Sequence, residues 1–250
     1  MLKEGERINE INENLKLIEK KSSLTFGTDA YLLSAFLPKR KNKVAIELGT
    51  GSGVISFLAL TKEKCHHVYG IEVQQEISDI AKRNAELNSL QEKFTLLNKD
   101  LRDVTINDIG KEVDMIFSNP PYMTTTSGKS NLNDEKNISR HEVFGDINDF
   151  CKCAKRLLKH GGSFYIVYRP ERLAELIFSL KSNNLEPKKI VFVHANINTS
   201  PSILLIEAKL GAKSGLIIEK PIYIYENGTL NYTKQFENIY KYGDMEEHNE

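Results

Sequence analysis

Hydrophobic positions along the 250-residue chain follow two alternating rhythms. Short apolar runs read as strands: Val44 to Leu48 (VAIEL), His67 to Glu72 (HVYGIE), Phe94 to Asn98 (FTLLN), Val113 to Ser118 (VDMIFS) and Ser163 to Tyr168 (SFYIVY). Between them, apolar residues recur at helical spacing in a run through Leu60, in Glu76 to Asn88, in Ile147 to Leu158 and in Arg172 to Lys181. Gly161-Gly162 is expected to end the helix that precedes it. Ile190 to His194 and Ile203 to Lys209 resemble a closing pair of strands. Such alternation predicts an α/β fold with a mostly parallel sheet of seven strands and helices on both faces.

Two segments stand outside this rhythm. Residues 1–40 are expected to form an N-terminal extension packed on the core domain, 41–250. Within the extension, Ser23 to Leu33 reads SLTFGTDAYLL, and Thr28 or Asp29 is suited to cap a helix. Met123 to Ser139 is polar and too long for a simple turn, so a lid over 123–140 is expected directly after Tyr122.

Composition narrows the classes. With 40% hydrophobic and 27% charged residues the chain reads as an ordinary soluble globular protein. Formal net charge is zero, so a nucleic-acid partner must be held by local basic patches rather than by a global field. The opening MLKEGE is not a signal peptide and no apolar run approaches membrane-spanning length, which predicts a cytoplasmic protein. Cys65, Cys151 and Cys153 are odd in number, and the C-x-C pair lacks companions at zinc-ligand spacing. Three reduced thiols and no metal are expected.

Chemistry concentrates after the strands. The first is followed by E-L-G-T-G-S-G, Glu47 to Gly53, whose glycines let backbone approach a ligand at a strand's carboxyl end. A dinucleotide fingerprint needs a third glycine where Val54 stands, which counts against NAD. Glu72 ends the second strand, where it is placed to accept hydrogen bonds from ribose hydroxyls; the plain alternative is a strand-end charge. The fourth strand stops at Asn119-Pro120-Pro121-Tyr122, a turn stiffer than ordinary turns require. Asn119 Oδ1 and the Pro120 carbonyl are two acceptors suited to the two protons of a planar amino group. Pro121 would fix that carbonyl, and Tyr122 offers a ring for a flat substrate.

These motifs together resemble class I S-adenosylmethionine-dependent methyltransferases with a Rossmann-like fold. The resemblance implies S-adenosylmethionine as cofactor, with contacts at Glu47, Gly49, Thr50, Gly51, Gly53, Glu72, Val73, Asp100, Leu101 and Asn119. It sets Glu47 near the methionine end, Asp100 at the adenine amino group and Leu101 against the adenine ring. Asn119, Pro120, Pro121 and Tyr122 take the catalytic role of the group that methylates planar nitrogens.

Flanking segments bear on the substrate. FGTDAYLL before the glycine turn, R-H-E at Arg140 to Glu142, YRPERLAEL from Tyr168 and SPSILLIEAKLG near the end resemble the bacterial tRNA adenine-N6 methyltransferases. Those enzymes modify the adenosine beside the anticodon of one valine tRNA. Candidate phosphate contacts are Lys39, Arg40, Lys41 and Lys43, with Lys129, Lys136 and Arg140 around the lid; the alternative for residues 39–43 is a solvated loop. His141 is a tRNA contact or a lid anchor. The partner expected is tRNA and the oligomeric state a monomer. A glutamine methyltransferase of release factors also carries N-P-P-Y, but usually with a larger helical domain before the glycine turn. A DNA adenine methyltransferase would need target-recognition sequence not found here, and a non-catalytic RNA-binding relic is opposed by the intact Asn119, Glu72 and Asp100.

Overall fold

The computed structural model describes residues 2–21, 27–121 and 145–245. A hairpin comes first, β1 (Glu6–Asn12) and β2 (Leu15–Lys20), then α1 (Thr28–Phe36). There follow β3 (Val44–Leu48), α2 (Val54–Thr61), β4 (His67–Glu72), α3 (Gln75–Leu87), β5 (Phe94–Asn98), the single turn α4 (Ile106–Ile109) and β6 (Val113–Ser118). Beyond residue 144 come α5 (Ile147–Leu157), β7 (Leu158–Tyr168), α6 (Leu173–Ser182), β8 (Leu185–His194) and β9 (Pro201–Leu210). Two-residue strands β10 (Ile217–Ile218) and β11 (Ile222–Tyr223) precede α7 (Lys234–Tyr242).

The main sheet runs β10-β8-β9-β7-β6-β3-β4-β5, with β11 also paired to β8. Seven full strands match the expected sheet, and β10 and β11 lengthen its edge beside β8. Among the full strands only β9 is reversed, lying antiparallel to both β7 and β8. Alternate residues feed two cores, as the pleat dictates. Ala45, Met115, Phe117 and Tyr165 face α1, α2, α3 and α7, while Ile46, Ile116, Phe164 and Ile166 face α5 and α6.

Two local expectations change, and one element was not foreseen. The helix of residues 147–157 ends at Leu157, and Gly161-Gly162 lie inside β7 rather than at a helix end. They form an irregularity opposite Val113–Met115, where a Cβ on Gly162 would meet the Lys159 carbonyl at 2.9 Å. Backbone crowding therefore explains the glycine. At α1 the N-cap is Gly27, with no side-chain cap, so Thr28 and Asp29 fall in the first turn. The hairpin was not legible because β1 is largely exposed and lacks a clean alternation.

Asn84 of α3 ties that hairpin to the rest. Fully buried, it accepts from the Ile18 N–H (2.6 Å) and donates to the Ile18 carbonyl (3.2 Å) and to the Ser52 carbonyl (3.0 Å). Asn84→Ala is expected to leave these groups unpaired and cost about 1–3 kcal/mol. A lowered urea midpoint checks this, and an unchanged midpoint would show the clamp to be dispensable.

Candidate active site

At the carboxyl ends of β3, β4, β5 and β6 lies a cavity of about 290 Å³. It is lined by Gly49, Ile71, Glu72, Val73, Gln74, Lys99, Asp100, Leu101, Asn119, Pro121 and Phe150. Of the residues singled out in the sequence, it thus gathers Gly49, Glu72, Val73, Asp100, Leu101, Asn119 and Pro121.

Local bonding fixes each wall. The buried Glu72 carboxylate accepts the Gly51 N–H at one oxygen (3.0 Å) and the Gln74 N–H at the other (2.9 Å). Gly49, Gly51 and Gly53 have φ of 69°, 56° and 90°, a region that disfavours side chains. At Gly53 the space is closed as well, since a Cβ would meet the Phe57 ring at 2.4 Å. Ser118 Oγ donates to the Leu48 carbonyl (2.7 Å), tying the start of the Asn119 turn to the head of the glycine loop. Asp100 accepts from Arg102 Nε at 2.9 and 3.0 Å, and this guanidinium holds its carboxyl below the usual range. Arg156 of α5 donates to the carbonyls of Leu101 (2.7 Å) and Val104 (2.6 Å), anchoring the loop that carries Asp100.

Four contributors were not found from sequence. Ile71 and Gln74 flank Glu72, Lys99 pairs with Asp108 (2.9 Å), and Phe150 comes from α5. Phe150 reads in sequence only as one apolar helix position, so nothing marked it as a wall.

Other expectations land elsewhere. Glu47 does not line the cavity. It sits under the start of α2, where its carboxylate accepts from Thr50 Oγ1 (2.7 Å), the Ser56 N–H (3.1 Å) and the Ser56 hydroxyl. Burial raises its pKa from 4.5 to about 7. Thr50 Oγ1 is bonded to Glu47, and Gly51 and Gly53 are not among the lining residues, though the Gly51 N–H is held by Glu72, which is. Pro120 lies in a small adjoining cleft with Pro121, Asp146, Tyr168 and Arg172. Tyr122, Lys129, Lys136, Arg140, His141 and the expected lid lie outside the described residues.

The basic cluster lies apart from the cavity. Lys39, Arg40 and Lys41 precede β3 and stand at the amino ends of the parallel strands, the edge opposite the cavity. Five residues of β3 at about 3.3 Å each put roughly 16 Å between the two edges. Lys39 pairs with Asp244 (2.9 Å), Lys41 with Glu63 and Lys43 with Asp114 (3.3 Å). These cations therefore do not border the same site.

A model of the methyltransferase small domain matches residues 21–185, more than half of the chain. The chain belongs to the methyltransferase small domain family. Relatives within reach of this family include the tRNA1(Val) (adenine(37)-N6)-methyltransferase of Phocaeicola vulgatus, 24% identical over 86% of this chain and 91% of that protein. The protein of the same name from Aliivibrio fischeri is 26% identical over 74% of this chain and 76% of its own length. Among solved structures, a predicted O-methyltransferase from Agrobacterium tumefaciens superposes with TM-score 0.71 at 21% identity, covering 89% of this chain and all (100%) of that one. TYW2 of M. jannaschii, in complex with AdoMet, gives TM-score 0.57 at 16% identity over 84% and 87% of the two chains. The fold is thus the Rossmann-like class I methyltransferase fold.

All three cysteines are buried and free. No helix among the described residues is long and apolar enough to cross a membrane. Among those residues, no group of three or more His, Cys, Asp or Glu is arranged to hold a metal.

Glu47 makes stability pH-dependent. Its folded pKa, about 7, lies above the ordinary 4.5, so the native state holds a proton that the unfolded chain gives up first. The stabilisation is full below about pH 4.5 and is lost as pH rises through about 7. Glu47→Gln keeps an acceptor and removes the titration. The variant is expected to gain on the parent by up to ~3 kcal/mol between pH 4.5 and 8. Denaturant unfolding at both pH values checks this, and a constant gap would place the Glu47 pKa elsewhere.

Proposed function

We propose that the chain transfers a methyl group from S-adenosylmethionine to the exocyclic amino group of an adenine in tRNA. The observation that carries this reading is that Asn119 and the carboxylates of Glu72 and Asp100 share one cavity. The tRNA adenine specificity of the relatives supports the choice of substrate.

The residues fit such a cofactor. Each Glu72 oxygen already takes one backbone N–H, which holds the carboxylate still; Oε2 keeps a lone pair for a ribose hydroxyl, and a second hydroxyl would replace the long Gln74 Nε2 bond (3.4 Å) on Oε1. Asp100 keeps acceptor capacity beyond its Arg102 pair and faces the adenine amino group, with Leu101 and Phe150 as apolar walls for the ring. At Gly49 the open backbone admits the ligand, where a Cβ would project to 3.7 Å from Phe150. Glu72 and Asp100 outnumber Lys99 on the walls, so the cavity suits a ligand carrying positive charge. When bound, S-adenosylmethionine supplies an electrophilic methyl group on a sulfonium.

Asn119 Oδ1 and the Pro120 carbonyl accept the two N–H bonds of the target amino group. Drawing on both protons favours the pyramidal nitrogen, whose lone pair is freed from the purine ring for in-line attack. Positive charge then grows on that nitrogen, and the two acceptors stabilise it until a proton leaves to solvent. Pro121 fixes the carbonyl's direction, and the Ser118–Leu48 bond fixes the turn against the glycine loop. Positioning for in-line attack and stabilisation of that charge together supply the acceleration. Tyr122 stacks on the target base in this reading.

The decisive assay incubates the protein with labelled cofactor and total tRNA from a strain lacking the gene, followed by mass spectrometry of the nucleosides. N6-methyladenosine supports the reading, whereas tRNA that gains no labelled adenosine overturns it. Asn119→Ala is expected to keep cofactor binding and lose ~2.7–4 kcal/mol of rate, as when one preorganised polar group is removed; near-normal turnover at saturating tRNA would remove Asn119 from the mechanism. Glu72→Ala and Asp100→Ala should each weaken cofactor binding by roughly 1.5–3 kcal/mol. Calorimetry that finds unchanged affinity would relocate the cofactor site.

A further inference from the structure

Past Asn119 the carboxyl-end rim continues along β7, β9, β8 and β11. Two turns on it are bonded side to side. Residues 195–199, after β8, are closed by the Asn196 N–H donating to Thr199 Oγ1 (3.1 Å) and Thr199 Oγ1 donating to the Asn196 carbonyl (2.9 Å). Residues 226–231 are closed by the Glu226 N–H donating to the Asn231 carbonyl (2.9 Å), with a Tyr225–Tyr232 bridge below. Asn198 Nδ2 donates to Asn227 Oδ1 (2.8 Å), joining the turns. The rings of Tyr225 and Tyr232 stack, with centroids 5.4 Å apart and planes 20° apart.

This frame holds large apolar side chains in solvent: Leu230 is 88% exposed, Ile197 63% and Tyr232 45%. Single exposed hydrophobics are ordinary, but here they share one braced frame on the rim that carries Asn119. From β6 to β8 is three strand steps and β11 is one more, about 14 to 19 Å at ~4.8 Å a step. Arg169, at the end of β7, lies along that path and donates to the Ser202 carbonyl (3.1 Å).

We propose that the paired turns 195–199 and 226–231 are a platform on which unpaired nucleotides of an RNA loop stack while a neighbouring base occupies the Asn119 site. The inference rests on the tRNA reading above. Tyr232, held between Tyr225 and Phe236 (centroids 4.9 Å) yet 45% exposed, joins Leu230 and Ile197 in a surface flanked by amides, which offers apolar contact and base-edge hydrogen bonds of the kind unpaired nucleotides use. Stacking is also independent of net charge, which is zero in this chain.

The test uses the full chain, fluorescent unmodified tRNA and two variants, Tyr232→Ala and Leu230→Ser. Leu230 is so exposed that its replacement spares the fold even if loss of the Tyr232 ring does not. Each variant is expected to bind tRNA on the order of tenfold more weakly, with a matching rise in KM for tRNA, little change in kcat and an unchanged cofactor affinity. Tyr232→Phe should restore binding. Parental tRNA affinity in Leu230→Ser and in folded Tyr232→Ala would overturn the platform. If the parent binds tRNA without methylating it, the activity reading falls, and weaker binding by the variants still supports the platform. A parent that binds no RNA and methylates a protein instead overturns both.

Discussion

Much of the candidate site depends on what the Glu72 carboxylate does to the two loops it touches. By accepting one N–H from the glycine loop and one from the loop after β4, it couples the ends of neighbouring parallel strands. The glycine loop has left-handed backbone at residues 49, 51 and 53, so its own conformational preference is weak. It is held from outside by Glu72, by the Thr50 N–H bonded to the Ile71 carbonyl (2.9 Å), and by Asn84 bonded to the Ser52 carbonyl (3.0 Å). A loop shaped this way presents a fixed cradle before any ligand arrives, which reduces the ordering cost of binding.

Glu47 and Glu72 show how little separates a cavity wall from a hidden brace. Both are acids near the carboxyl end of a β-strand, yet Glu72 is the final residue of its strand and Glu47 the penultimate one. The pleat puts both on one face, since Glu47 pairs with Gly70 two residues before Glu72; Glu47 sits one residue short of its strand end, under the start of α2, where Thr50 and Ser56 enclose it. Its work is to fix the glycine loop to that helix. The resemblance to known methyltransferases pointed to Glu47 as a ligand contact; in this structure its Oε2 takes all three bonds from Thr50 and Ser56.

The layered sheet was readable because period-2 and period-3.6 runs alternate so regularly between residues 44 and 210. Glu72, Asp100 and Asn119 were readable for a related reason, each being at or just beyond a strand end. What escaped notice carries no local signal. Phe150 is one apolar residue on a helix, and Arg156 matters only because it reaches two backbone carbonyls far off in sequence. The lysines at 39–43 mark another limit, since a sequence cluster does not say which edge of the sheet it occupies. The order of strands decides that: a residue before β3 is at the amino edge, whatever its charge.

The reversed strand β9 accounts for the other half of the rim. Had β9 run parallel to β8, the connection between them would have crossed from the carboxyl edge back to the amino edge, usually through a helix. Running antiparallel, it leaves β8 by the short turn 195–199, which stays on the rim that holds Asn119. β11 then pairs parallel with Val193 and His194, delivering Tyr225 and the second turn to the same edge. One strand reversal thus converts a bare sheet edge into a surface beside the cavity. β6, whose end carries Asn119, stands between β3, β4 and β5 on one side and β7, β9 and β8 on the other. Asn119 is therefore flanked on two sides, by the cavity over the first group and, among the described residues, by the two braced turns along the second.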